Sequence, residues 1–256
     1  MSITEQVRKK AAQLRLSGLV ETLDMRTEAA LSSCQHPQDY LHLLLEDELL
    51  HRKNKSTQRL ISRGRFRLAA DIEDWDMSFD RGISKQVLKE LALLNFYHNK
   101  ENLLVFGKTG CGKTHLSVAL ARRLCYEQIS ALFFSVNLFF EEVTVQRATG
   151  QYLKFISQIA KINVLVFDDF GLRSYTHEEA MTLLDLLEAR YRKGILIVTS
   201  QVDSKGWFKL FEDPPTAEAI IDRLTKPSHR VVLASESYRN RLGTLRKELA
   251  SKKPGK

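Results

Sequence analysis

The chain has 256 residues, 43% hydrophobic and 27% charged, a balance that excludes a fibrous or wholly disordered protein. No apolar run reaches the roughly 18 residues needed to cross a bilayer, and the amphipathic start MSITEQVRKKAAQLRLSG does not read as a secretory signal, so no membrane partner and a cytoplasmic location are expected. The net charge of +8 sits at the ends: residues 1–70 carry 12 Lys/Arg against 8 Asp/Glu, 71–225 carry 18 against 21, and 226–256 carry 9 against 2, which suits a polyanion met by the ends or simple solubility.

Apolar residues at helical spacing (Val7, Ala11, Leu14, Leu19, Leu23) predict a helix over Ile3–Met25. A second helix starts near Pro37, which a first turn tolerates, and places Leu41, Leu44, Leu45 and Leu49 on one face that must pack on something. Arg52, Lys53, Lys55, Arg59, Arg63, Arg65 and Arg67 then follow with no intervening acid. The stretch DIEDWDMSFDRG, residues 71–82, reads as a linker. A helix over Ser84–Phe96 comes next, then strands ENLLVF, ALFFSV, INVLVFDD, ILIVTS and RVVLA separated by helices Lys113–Tyr126, Leu138–Ile159, His177–Arg192 and Ala217–Leu224. Alternating short apolar strands and helices imply a parallel sheet covered on both faces. The expected class is α/β: a five-stranded parallel core in residues 83–250, an all-α basic domain in 1–70, and a basic tail in 251–256.

The loop GKTGCGKTH fits G-x-x-x-x-G-K-[ST] at Gly107, Gly112, Lys113 and Thr114, between a strand and a helix. Backbone N–H groups of Gly107, Lys108, Thr109, Gly110, Cys111, Gly112 and His115 can surround phosphates there. Lys113 would reach the β and γ phosphates of ATP, and Thr114 would offer its hydroxyl to Mg²⁺. Asp168, at the carboxyl end of an apolar strand, is the candidate magnesium residue. Asp169 is the candidate for polarising the attacking water, or a hydrogen-bond acceptor behind it. Only the backbone of Cys111 is needed, and Cys34, Cys111 and Cys125 have no metal-binding or disulfide spacing.

The ordered set GKTGCGKTH, VLVFDDFG, VTSQ, IIDRL and SYR resembles AAA+ P-loop ATPases of the IstB/DnaC type, and RLSGLVETL, DYLHLLLEDELLHRK and IEDWDMSFDRGISKQVLKELALL resemble the IstB branch of transposition helpers. The resemblance implies that Gln201, with Thr199 as its rival, senses the terminal phosphate. It further implies that Arg223 enters a neighbouring subunit's site, unless it is a surface ion pair with Asp222 or Asp185, and that Arg239 acts within its own subunit or on nucleic acid. It implies ATP hydrolysis, a homo-oligomer, double-stranded DNA and a cognate transposase as partners, with a helicase loader as the alternative. The seven cations from Arg52 to Arg67 are then candidate phosphate contacts of low sequence specificity, or a solvated or protein-docking face. Many AAA+ proteins carry Asp-Glu where this chain has Asp168-Asp169, which implies slow basal turnover.

Overall fold

The computed structural model describes residues 2–234. The chain divides into two compact units, one ending at Leu60 and the other beginning at Ile61. Among the described residues no helix is long and apolar enough to cross a membrane.

The first unit consists of α1 (Ile3–Gln13), α2 (Ser17–Ser32) and most of α3 (Pro37–Arg63). The single helix expected over Ile3–Met25 is two, because Arg15 takes a left-handed backbone (φ 59°) and the chain turns there. Ala11, Leu19, Leu23 and Leu44 form its small core. Of the four leucines expected to pack together only Leu44 does so, while Leu41, Leu45 and Leu49 are exposed. α3 instead aligns Leu44 with Glu48, a carboxylate only 4% exposed. Glu48 substitutes for a missing cap: Leu16, before α2, offers no side-chain acceptor. The Glu48 Oε2 accepts from the backbone N–H of Gly18 (2.7 Å) and Leu19 (3.1 Å), the unpaired donors of the helix N-terminus. Its Oε1 accepts from Arg52 Nε at 2.6 Å. Burial pushes this carboxyl up, but Arg52 and the two N–H groups outweigh burial and hold it below the usual glutamate range.

In the second unit α4 (Lys85–Ala92) and α5 (Asn95–His98) replace one predicted helix, broken at Leu94 (φ 60°). There follow β1 (Asn102–Gly107), α6 (Lys113–Tyr126), β2 (Ala131–Ser135), α7 (Val136–Ala148), α8 (Tyr152–Ala160), β3 (Val164–Phe170), α9 (His177–Arg190), β4 (Ile195–Ser200), α10 (Pro214–Thr225) and β5 (Ser228–Leu233). All five strands are parallel, in the order β2-β3-β4-β1-β5, as the alternation of strands and helices predicts. The central strands are buried on both faces, so their continuous Val/Ile/Leu/Phe runs form a core with α7, α8, α9 and α10 and pack also against the buried residues of α6. β4 separates β1 from β3, so the residues that end β4 lie between the loop after β1 and the end of β3.

At the opposite end of the strands Arg190 is 1% exposed. Its guanidinium donates to the carbonyls of Ile159, Ile162, Asn163 and Ile195 at 2.7 to 3.3 Å, tying the end of α8 to the starts of β3 and β4. Burial pushes it down to about 10, which leaves it charged at neutral pH. Residues 71–82, read as a linker, are folded against this unit. Asp71 begins a 3-10 turn over Ile72–Asp74 and accepts from Arg122 on α6 through two bonds of 3.0 Å.

Because the Glu48 carboxyl is depressed in the fold, its stabilisation is present above the ordinary glutamate range and is lost as pH falls through the folded value. Glu48→Gln is expected to destabilise the first unit by roughly 3 kcal/mol at pH 7 in urea titrations. The difference from wild type should shrink below about pH 4.

Candidate functional site

The loop after β1 makes two close approaches that require glycine. A Cβ on Gly107 would stand 2.6 Å from the Leu233 carbonyl, and one on Gly112 (φ 105°) would stand 2.9 Å from Arg81 Nη1. Lys113 opens α6, and its buried ammonium donates to the carbonyls of Gly107 (2.8 Å) and Lys108 (2.9 Å). The Cys111 side chain is fully buried on the protein side of the loop, so its thiol does not face the cavity.

β3 brings Asp168 to this loop. The Thr114 hydroxyl lies 3.0 and 2.9 Å from its two carboxylate oxygens, and the Thr199 hydroxyl donates to Oδ1 at 2.6 Å. Asp168 is 1% exposed. Burial pushes its carboxyl up from the ordinary aspartate range and neighbouring Asp169 adds to this, against the two hydroxyls that favour the charged form. The β3–β4 pairing is irregular between Phe167 and Phe170, and there Asp169 adopts a left-handed backbone (φ 61°). Its N–H donates to Thr199 Oγ1 at 3.0 Å.

The two rivals at the end of β4 therefore occupy different places. Thr199 is fully buried and joins Asp168 to Asp169. Gln201 is exposed and accepts from the Thr109 hydroxyl at 2.7 Å, on the loop itself. A cavity of about 350 Å³ lies over the loop, walled by Thr109, Gly110, Gly112, Lys113, Thr114, His115, Asp169 and Gln201. It is also walled by Leu68, Asp74 and Arg81, which sequence reasoning missed because no local pattern marks them. His115 packs on Trp75 with ring centroids 5.8 Å apart, and its Nε2 is buried without a hydrogen-bond partner. Burial, with Arg81 nearby, lowers its pKa and keeps the imidazole neutral at pH 7.

Thr114 and Asp168 together offer the hard oxygen donors that suit Mg²⁺, which completes its shell with phosphate and water. The glycine backbone and Lys113 offer donors for a polyphosphate.

Arg223 lies elsewhere. Its guanidinium donates to Glu188 Oε1 (2.7 Å) and the Ala219 carbonyl (3.0 Å), so its ion pair is with neither Asp222 nor Asp185. Its own carbonyl accepts from Asn102 at the start of β1. The phosphate loop leaves the other end of that six-residue strand, about 17 Å along it. Arg239 and the tail lie outside the described residues.

The basic residues are all exposed. Arg52, Lys55, Arg59 and Arg63 recur at helical spacing along α3, with Lys53 beside them and Arg52 paired to Glu48. Arg65 and Arg67 belong to a strap across the edge of the sheet. There Gly64 accepts from Phe133 N–H (2.9 Å), Arg65 pairs with Glu142 (2.6 Å), and Arg67 lies over the Phe133 ring.

The left-handed backbone at Asp169 costs a residue with a Cβ about 1 kcal/mol. Asp169→Gly is expected to be more stable than Asp169→Ala by about that amount in chemical denaturation. Equal stabilities would mean the backbone relaxes when the side chain is cut.

The family model for IstB-like ATP binding proteins matches residues 9–245. A protein described as an ATP-binding protein in an insertion sequence of Mycobacterium tuberculosis is 30% identical over 243 residues, 94% of this chain and 97% of that relative. An ATP-binding protein of insertion sequence IS21 from Pseudomonas aeruginosa is 28% identical over 228 residues, 89% of this chain and 86% of that one. Among solved structures, the DnaC helicase loader superposes with a TM-score of 0.53 at 20% identity, covering 64% of this chain and 96% of its own. AMPPCP-bound DnaA from Aquifex aeolicus gives 0.55 at 17%, covering 73% and 56%. These likenesses identify the AAA+ P-loop fold.

Proposed function

Because the chain belongs to the IstB-like family of insertion-sequence ATP-binding proteins, we propose that it is an ATPase that assembles on target duplex DNA, delivers that DNA to a cognate transposase and is reset by hydrolysis. The observation that carries the chemistry is the Thr114 hydroxyl set against both oxygens of Asp168 beside the phosphate loop. In this reading Thr114 and Asp168 hold Mg²⁺, which neutralises charge on the phosphates. Lys113 leaves the loop carbonyls for the β and γ phosphates, and Asp169 orients the attacking water. Gln201, facing the cavity, is the better placed to sense the terminal phosphate, while Thr199 fixes the two aspartates.

The length of β1, about 17 Å, between the Arg223 backbone and its own loop supports action in trans, on a neighbouring subunit's nucleotide. Hydrolysis then depends on a homo-oligomer. The cations Arg52, Lys53, Lys55, Arg59 and Arg63 along α3 suit the regularly spaced charges of a nucleic-acid backbone, and affinity from them is salt-sensitive and mainly sequence-independent. Arg65 and Arg67, engaged with the sheet edge, contribute less than the sequence alone suggests.

Binding to labelled duplex and single-stranded DNA at one salt concentration, with and without ATP, tests the reading with Lys113→Ala as control. Cooperative duplex binding that needs ATP and disappears in the control is expected. A preference for single strands would favour a helicase loader, and no binding would assign the basic residues to a protein partner. For the trans arginine, Arg223→Ala should lose about three decades of phosphate release when assembled. Mixing it with Lys113→Ala, itself inactive, should recover part of the rate; no recovery would remove Arg223 from the neighbour's site.

A further inference from the structure

We propose that Arg81 is a second cation of the nucleotide site, holding the polyphosphate of a bound nucleoside di- or triphosphate alongside Lys113; this rests on the ATP-binding reading of the loop. Arg81 stands outside the phosphate-loop motif, in the stretch that sequence patterning reads as a linker. In the fold that stretch is a wall of the cavity over the loop.

Four observations place the charge. Arg81 is 4% exposed, yet it lines the same cavity of about 350 Å³ as Gly110, Gly112, Lys113 and Thr114. Its guanidinium lies over the Trp75 ring, 4.1 Å from the centroid, a stack that fixes the plane of the group. Nη1 is close enough to the loop that a methyl on Gly112 would meet it at 2.9 Å, and would meet Trp75 at 3.3 Å. The backbone is pinned as well. The Arg81 carbonyl accepts from Ala234 N–H (3.0 Å) at the end of β5, Gly82 N–H donates to Asp80 (2.8 Å), and Asp71 is clamped to α6 by Arg122.

A guanidinium held in this way loses little side-chain entropy on binding and brings a fixed positive charge to the wall of the cavity. Charges about 6 Å apart at an effective dielectric of about 20 favour binding by roughly a hundredfold before desolvation is subtracted, so a net effect of about tenfold is expected. Arg81 abuts Gly112 and His115, and is not joined to the Asp168–Thr199 pair. The phosphates it reaches are therefore those that ATP and ADP share, and it acts on retention rather than on sensing the terminal phosphate.

The test is calorimetric titration of wild type, Arg81→Gln, Arg81→Lys and Lys113→Ala with ATP, ADP and inorganic tripolyphosphate in the presence of Mg²⁺, with thermal melts to check the fold. Arg81→Gln should lose about tenfold for all three ligands with the ATP/ADP ratio unchanged, and Arg81→Lys should stay within about threefold of wild type. Loss for ATP and ADP with tripolyphosphate unaffected would make the Trp75–Arg81 stack a support for the base and overturn the proposal. So would a tenfold loss in a folded Arg81→Lys, which would assign the residue to packing, or unchanged affinity in a folded Arg81→Gln. If wild type binds no ATP, or Lys113→Ala binds as well as wild type, the ATP-binding reading fails and the role of Arg81 falls with it. Wild-type binding lost in Lys113→Ala but kept in Arg81→Gln would overturn Arg81 alone.

Discussion

The site depends on keeping one buried carboxylate, Asp168, charged and aimed. An aspartate with almost no solvent contact is costly unless its oxygens are satisfied, and here hydroxyls from two other elements satisfy them: Thr114 at the start of α6 and Thr199 at the end of β4. The parallel strand order makes this possible, because β4 lies between β1 and β3. Thr199 serves twice, donating to Asp168 and accepting from the Asp169 N–H. A single hydroxyl thus fixes both the buried carboxylate and the backbone of its neighbour, at the point where the pairing of β3 with β4 is irregular.

The second unit is closed by a segment that supplies no regular element of the sheet. Residues 64–67 cover the exposed edge of β2, which would otherwise offer unpaired backbone groups to another chain. Residues 71–82 continue from there to the cavity, fastened by Asp71 to Arg122. The same run of chain protects an edge and completes a ligand wall, which accounts for its mixture of acids, aromatics and arginines better than a solvated connection does.

Much of this was legible beforehand, for physical reasons. Phosphate binding by backbone N–H groups needs glycines at fixed spacing, and parallel strands need apolar runs, so the loop, the strand sequence and the ends at Asp168 and Thr199 are written locally. Helix breaks at Arg15 and Leu94 were not, since neither residue type announces a left-handed backbone. Nor were Leu68, Asp74 and Arg81: their roles come from contacts with residues far along the chain. The α3 leucines misled because periodicity gives a face and not its partner. Glu48, a charged residue, took a buried place beside Leu44 because a helix end needed an acceptor.

The left-handed backbone at Asp169 explains a choice of residue. Aspartate and asparagine tolerate that conformation better than most residues, because a short polar side chain can bond locally, whereas glutamate lacks that compensation. The irregular end of β3 thus selects aspartate where many related folds carry glutamate. The side chain admitted by the backbone is one methylene shorter, and its reach toward a water is shorter by the same amount. Geometry that secures the position of the carboxylate thereby limits its extension, and in the proposed ATPase this favours a long-lived bound nucleotide over fast turnover.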